Sequence, residues 1–250
     1  MLRSVNDLKG LGLRAIDGEI GSVDQFYFDD ETWTIRYLEV NAGNWLVGRR
    51  VLISPVSLGR VDWSAGQLEV TLTRKQVEDS PNIDTHKPVS RQHEAEFLGY
   101  YGYPFYWGGA HLWGPALYPA DLSERTTAAE VPLKAKEESI DRHLRSTNEV
   151  SGYHIQAVDG EIGHVEDFLV DEETWSIRYM VVDTRNWWPG KKVLVSPQWI
   201  ESISWEESKV HVDLSRETIK DGPEYDQSTP VTRQYESQLF DNHGRGGYWL

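Results

Sequence analysis

Asp17-Gly18-Glu19-Ile20-Gly21 returns unchanged 142 positions later as Asp159-Gly160-Glu161-Ile162-Gly163. An Asp-Gly pair between two alternating apolar runs asks for positive φ at the centre of a turn, the signal of a tight β-hairpin. The same offset aligns Trp33-Thr34-Ile35-Arg36-Tyr37 with Trp175-Ser176-Ile177-Arg178-Tyr179, and Val51-Leu52-Ile53-Ser54-Pro55 with Val193-Leu194-Val195-Ser196-Pro197. It also aligns Pro88-Val89-Ser90-Arg91-Gln92 with Pro230-Val231-Thr232-Arg233-Gln234. From Leu2 to Glu94 the copies run without a gap, and roughly 40 of the 93 aligned pairs are identical, far above chance between unrelated segments. The chain therefore builds two related domains of about 90 residues each, large enough to fold as separate cores.

Within one copy the breaker Asp29-Asp30-Glu31-Thr32 separates a strand around Val23–Phe28 from one around Thr34–Val40. Residues 43–48 turn the chain into Arg50–Ser54, Pro55 closes that strand, and a last hairpin turns at Ser64-Ala65-Gly66. Counted from Leu13, this makes about six short strands at a spacing that suits a closed barrel, which removes exposed edges. Two helical segments follow. The first opens at Thr73-Arg74-Lys75-Gln76, a capping-box pattern whose counterpart cap is Ser215. The second starts near Ser90 or Thr232, and the spacing of Val89, His93 and Phe97, or of Val231, Tyr235 and Leu239, predicts one face packed on the barrel. Ile177-Arg178-Tyr179-Met180-Val181-Val182 is apolar on both faces for much of its length, so its outer side needs a cover: the C-terminal helices, the other copy or a second chain.

With no cysteine, the chain has no disulfide, thiolate metal site or cysteine nucleophile. The N-terminus lacks a basic region followed by an apolar stretch, and no window approaches the roughly 18 apolar residues of a membrane span. A soluble cytoplasmic protein is the expectation. A net charge of −15, spread over both copies and the segment between them, offers no basic face to phosphates and argues against nucleic acid.

Catalytic patterns are missing. None of the eight histidines recurs at its matching position, and there is no H-E-x-x-H. His93 falls on the apolar helical stripe and reads as a half-buried packing residue. Asp29-Asp30-Glu31 and Asp171-Glu172-Glu173 lack the spacing and glycine of a calcium loop and read as solvated turns. The glycines mark turns, with no G-x-S-x-G or phosphate-binding fingerprint. No catalytic, cofactor-binding or metal-binding residue is expected. The unusual feature is the crowding of Tyr100, Tyr101, Tyr103, Phe105, Tyr106, Trp107 and Trp113 among glycines and prolines. Either this segment packs against a barrel and fills the groove between the copies, or it is an aromatic binding surface. Trp45, Trp187 and Trp188, in loops before a glycine, either face a partner at the barrel rim or plug the barrel end. Residues from Ala120 to Arg142 are polar and charged, as a tether would be.

The DGEIG hairpin, the turn into IRY, the strand ending Val-Leu-Ile-Ser-Pro or Val-Leu-Val-Ser-Pro, and the capped segment ending Pro81–Asp84 or Pro223–Asp226 together resemble the PRC-barrel family. That family is named for the cytoplasmic domain of the photosynthetic reaction-centre H subunit and includes the C-terminal domain of the ribosome maturation factor RimM. The resemblance implies a six-stranded barrel that binds protein surfaces or helps assemble ribonucleoprotein and membrane complexes. The expected architecture is mainly β: two tandem six-stranded PRC-type barrels, each followed by short helices, packed as an intramolecular pseudo-dimer. The expected domains are residues 1–98, a linker 99–143 that is aromatic and then polar, residues 144–241, and a tail 242–250. The leading function is a non-enzymatic docking or assembly module with a protein partner, with homodimer formation as a further arrangement. The alternative is a small-ligand or metal-ion module with its site between the barrels, and RNA processing ranks below both.

Overall fold

The computed structural model describes the chain apart from residues 44–45, 47–48, 82–88, 90, 108, 124–142, 185–190 and 250, and the side chain of Gln92. In the first repeat, β1 (Leu2–Ser4) and the one-turn helix α1 (Val5–Leu8) precede β2 (Gly12–Ala15), β3 (Gly18–Asp29), β4 (Thr34–Asn41) and β5 (Arg50–Ile53). A 3₁₀ turn at Pro55–Ser57 leads into β6 (Leu58–Asp62) and β7 (Gln67–Val70), then α2 (Arg74–Glu78), α3 (Arg91–Tyr101) and α4 (Ala120–Ser123). The second repeat brings β8 (Leu144–Ser146), α5 (Thr147–Val150), β9 (His154–Ala157), β10 (Gly160–Asp171), β11 (Ile177–Asp183) and β12 (Lys192–Val195). After a 3₁₀ turn at Pro197–Trp199 come β13 (Ile200–Ser204), β14 (Lys209–Val212), α6 (Arg216–Asp221) and α7 (Arg233–Asn242).

Each repeat forms the expected small barrel. The strand orders are β5-β4-β3-β2-β7-β6 and β12-β11-β10-β9-β14-β13, antiparallel except where β2 meets β7 and β9 meets β14. Both path ends are linked through the 3₁₀ turn, which Ser54 or Ser196 caps. Gly18 and Gly160 take φ of +149° and +147° in the hairpin read from the sequence. The Asp29 turn holds because Asp29 Oδ1 accepts the N–H groups of Glu31 and Thr32; contrary to the solvated turn expected from the sequence, Asp29 is buried against Arg36, and only Glu31 of the three acids is exposed. The turn places Trp33 at φ +52°, a conformation that a bulky residue adopts only under constraint. The constraint is visible: Trp33 N–H donates to Asp29 O at 2.8 Å, and its ring stacks on Phe28 at 5.0 Å.

The seventh strand of each sheet comes from the other repeat. β3 is twelve residues long, and β2 covers its edge only over Gly18–Ser22. Beyond a register shift between Val23 and Gln25, the edge Tyr27–Asp29 pairs with β8, in the register Tyr27–Ser146, Phe28–Arg145 and Asp29–Leu144. In the same way, β1 pairs with Leu169–Asp171 of β10. The chain thus divides into one unit of residues 1–6, 149–171 and 177–250, and another of residues 7–148 and 172–176. Without the borrowed strand, each long strand would end in unpaired N–H and C=O groups.

The helices follow their caps. Thr73 and Gln76 form the full capping box, and Ser215 and Thr232 each accept an N–H from the third residue onward. The packed face of the last helix differs from the sequence reading: His93 is exposed, and the buried residues are Glu94, Ala95, Phe97 and Leu98, matched by Glu236, Leu239 and Phe240. A stripe counted through apolar residues alone passes over the buried carboxylate that centres the face. These helices are part of the cover that the strand apolar on both faces requires. Tyr37 of β4 meets Phe97 edge-on at 5.1 Å, and Tyr179 of β11 meets Phe240 at 6.4 Å.

Candidate functional site

Glu94 lies fully buried on α3, within reach of side chains from three other stretches of chain. Tyr37 Oη donates to Glu94 Oε1 at 3.0 Å, and Tyr106 Oη donates to the same oxygen at 2.7 Å. His143 Nε2 is 2.7 Å from Oε2 and 3.0 Å from Tyr106 Oη, while Arg91 stands 4.0 Å away. The guanidinium of Arg36 lies 3.8 Å from the Tyr106 ring centre, and its nitrogens donate to Asp29, Thr32 and Leu112 O. Burial, then the Glu94 charge, pushes the Tyr37 and Tyr106 phenols well above their ordinary range, so both stay protonated as donors.

Apart from His143, the second unit repeats the cluster at the offset of 142. Tyr179 and Tyr248 donate to Glu236 Oε1 at 2.9 and 2.7 Å, and Arg233 Nη1 is 3.1 Å from Oε2. Arg178 covers the Tyr248 ring at 4.2 Å, and Arg233 covers Trp249 at 4.3 Å, as Arg91 covers Trp107 at 4.6 Å. Burial and the Glu236 hydrogen bond push Tyr248 up to about 12. The repeat therefore extends to Trp107 and Trp249. After each last helix, Gly102 and Gly244 take φ of +71° and +61°, and the next N–H closes back on Leu98 O or Phe240 O at 2.8 and 3.0 Å. This left-handed helix end aims the Tyr-Trp pair back across the sheet. Continuing the offset past Glu94 to Gly102, Tyr106 and Trp107 would have found it. His143 breaks the symmetry, since its counterpart is Met1.

Most of the crowded aromatics serve this packing. Tyr106 and Trp113 are buried, and Trp113 Nε1 donates to Thr174 O at 2.9 Å, so neither presents a surface to a partner. Tyr101 lies between Phe97 and Tyr103, Tyr103 Oη meets Ser57 Oγ, and Phe105 stacks on Trp107 at 4.7 Å. These four are half-buried, whereas Tyr100 is exposed. Trp45, Trp187 and Trp188 lie outside the described residues. Chemically, the carboxylate ties helix to sheet: two phenols donate to Oε1, while Oε2 lies 2.7 Å from His143 Nε2 and accepts no hydrogen bond among the described residues. Among the described residues, no cluster of three or more histidines or carboxylates is placed to hold a metal, and no helix is long and apolar enough to cross a membrane.

The second repeated feature is the strand-accepting edge. In one unit, Ser146 Oγ donates to Gln25, Arg145 Nε donates to Asp30 at 3.0 Å, and Phe26 N–H donates to Thr147 Oγ1 at 3.3 Å. In the other, position 25 is replaced by Asp167, whose buried carboxylate accepts Ser4 Oγ and, at 3.1 Å, the N–H of Asn6. The donated strands share one sequence, Leu-Arg-Ser.

A family model described as the PRC-barrel domain matches residues 2–77 and 145–219, more than half of the chain. A protein of Deinococcus radiodurans, described as uncharacterized, is 37% identical over 90 residues, a stretch that covers 35% of this chain and 30% of that protein. The barrels, their order in the chain and the two matched regions agree, and the chain belongs to the PRC-barrel domain family as a tandem member.

Proposed function

We propose that the chain is a non-enzymatic assembly module that recognises protein by strand addition at the outer edge of its longest strand. The observation that carries this reading is the reciprocal placement of Leu2–Ser4 on β10 and Leu144–Ser146 on β3. Main-chain hydrogen bonds supply affinity at such an edge, and side-chain contacts such as those of Gln25 and Asp167 supply selectivity. The buried glutamates support the reading from the other side, because the tyrosine pair on each of them fastens α3 and α7 to the barrel.

Light scattering on the full chain beside residues 1–123 tests it. The fragment keeps the acceptor edge Tyr27–Asp29 but loses β8, and its own Leu2–Ser4 carries the same tripeptide. The fragment should therefore dimerise by exchanging that strand, while the full chain has the mass of one chain at micromolar concentration. A fragment that folds, stays monomeric and has no affinity for the second repeat would remove strand addition as the basis of function.

A further inference from the structure

The crossover from one unit to the other falls after Asn6 and, at the matching point, after Asn148. Each lies within a one-turn helix, Val5–Leu8 or Thr147–Val150. The ladder Leu2–Asp171, Arg3–Val170 and Ser4–Leu169, and the Asp167 carboxylate that accepts Ser4 Oγ and Asn6 N–H, place the recognition of the first donated segment on β10. Val5, next in the segment, is buried. None of these contacts depends on the chain that follows Asn6.

We infer that the Leu169–Asp171 edge, with Asp167, is a docking site for the Leu2–Asn6 segment of a second copy of this chain. The inference rests on the strand-addition reading and names its partner. The bonds formed are the same whether the segment comes from its own chain or from another, so the two arrangements differ only in local concentration. Attachment within one chain gives the segment an effective concentration on the order of millimolar. Trans exchange therefore competes when chains are crowded to that level, and refolding at high concentration locks it in. Exchange in one direction joins two chains and leaves a further donor and acceptor free to extend or close the assembly.

The absence of native cysteine makes a direct test available. Opposed residues in an antiparallel ladder have Cα atoms about 4.5–5.5 Å apart, within disulfide range. Tagged chains with Leu2→Cys are unfolded together with untagged chains carrying Asp171→Cys, refolded and oxidised, and the covalent heterodimer is counted. The control pair is Leu2→Cys with Glu207→Cys, a position on the exposed turn before β14. A third sample carries Leu2→Cys and Asp171→Cys in one chain. The expected result is a heterodimer yield about tenfold above control at millimolar concentration, falling on dilution to micromolar, while the double variant closes within its own chain. If the double variant closes but the mixed chains never exceed control, the segment is bound in cis alone and the inference is wrong. If the double variant does not close, the β1–β10 ladder is itself absent, and the strand-addition reading falls with it.

Discussion

Acidification should weaken the second repeat through His243. This residue follows α7, its ring meets Trp199 edge-on at 4.6 Å, and its Nδ1 has no hydrogen-bond partner among the described residues. Burial, with a smaller contribution from Arg245, lowers its pKa from 6.5 to about 4. The native state therefore prefers the neutral ring, and between those two values the unfolded chain binds more protons. Stability is intact above pH 6.5, declines as pH falls through that value, and reaches its full loss below about 4. A shift of this size corresponds to about 3 kcal/mol at the limit, and partial contact with water brings the loss at pH 4.5 to about 2 kcal/mol. Urea unfolding at pH 7 and pH 4.5 should be run on the native chain and on His243→Phe, which keeps a ring against Trp199 and removes the titration. The variant should lose about 2 kcal/mol less than the native chain over that interval. Carboxylates that titrate below pH 5 contribute equally to both proteins and cancel in the comparison. A His243 NMR titration with its midpoint near 6.5, or equal losses in the two proteins, would refute the burial argument.

A Cβ at Gly21 would lie 2.2 Å from Asn41 O, and one at Gly163 would lie 2.0 Å from Asp183 O, both at positive φ. Gly21→Ala and Gly163→Ala should each cost at least about 3 kcal/mol in denaturant unfolding, against about 1 kcal/mol for Gly43→Ala, where positive φ is the sole penalty. Tyr106→Ala should cost about 3–5 kcal/mol, by opening a cavity and stripping donors from Glu94, whereas exposed Tyr100→Ala should cost under about 1 kcal/mol in the same assay. Equal losses for the two tyrosines would mean that the Tyr106 cluster does not anchor the segment.

Features that depend on local backbone chemistry were legible. The glycines of the Asp-Gly hairpins, the Asp29 turn and the Thr73 cap each demand a particular residue at a particular step, and each is where the sequence places it. The borrowed strand was not legible. Three residues show no useful alternation, and since both repeats carry Leu-Arg-Ser, pattern alone says nothing about which strand pairs where. What marks the acceptor is the pairing of Ser4 with Asp167 and of Ser146 with Gln25, over separations of more than a hundred residues. Glu94 escaped for a related reason. A carboxylate on a helix reads as solvated until Tyr37, Tyr106 and His143 are brought to it from three other stretches of chain.

The differences between the repeats follow the same physical logic as their likeness. In the first, Glu39 is buried on β4 and is satisfied by Tyr27 Oη, Gln25 Nε2 and Arg50 Nη1, each at 2.7 Å. At the matching positions the second repeat has Val181, Leu169, Asp167 and Lys192, with Val181 and Leu169 both buried. An isolated change from glutamate to valine would strand a phenol that burial already holds above its ordinary pKa, and an isolated change from tyrosine to leucine would remove a donor from a buried charge. Changing both leaves an apolar pair with nothing unsatisfied, and it frees position 167 from Glu39's counterpart. There an aspartate has taken up the serine and backbone donors of the incoming strand. The acceptor edge has thus diverged in its side chains while its ladder is kept. Two edges that bind one tripeptide thus keep the same ladder while a different side chain, Gln25 or Asp167, meets the serine in each.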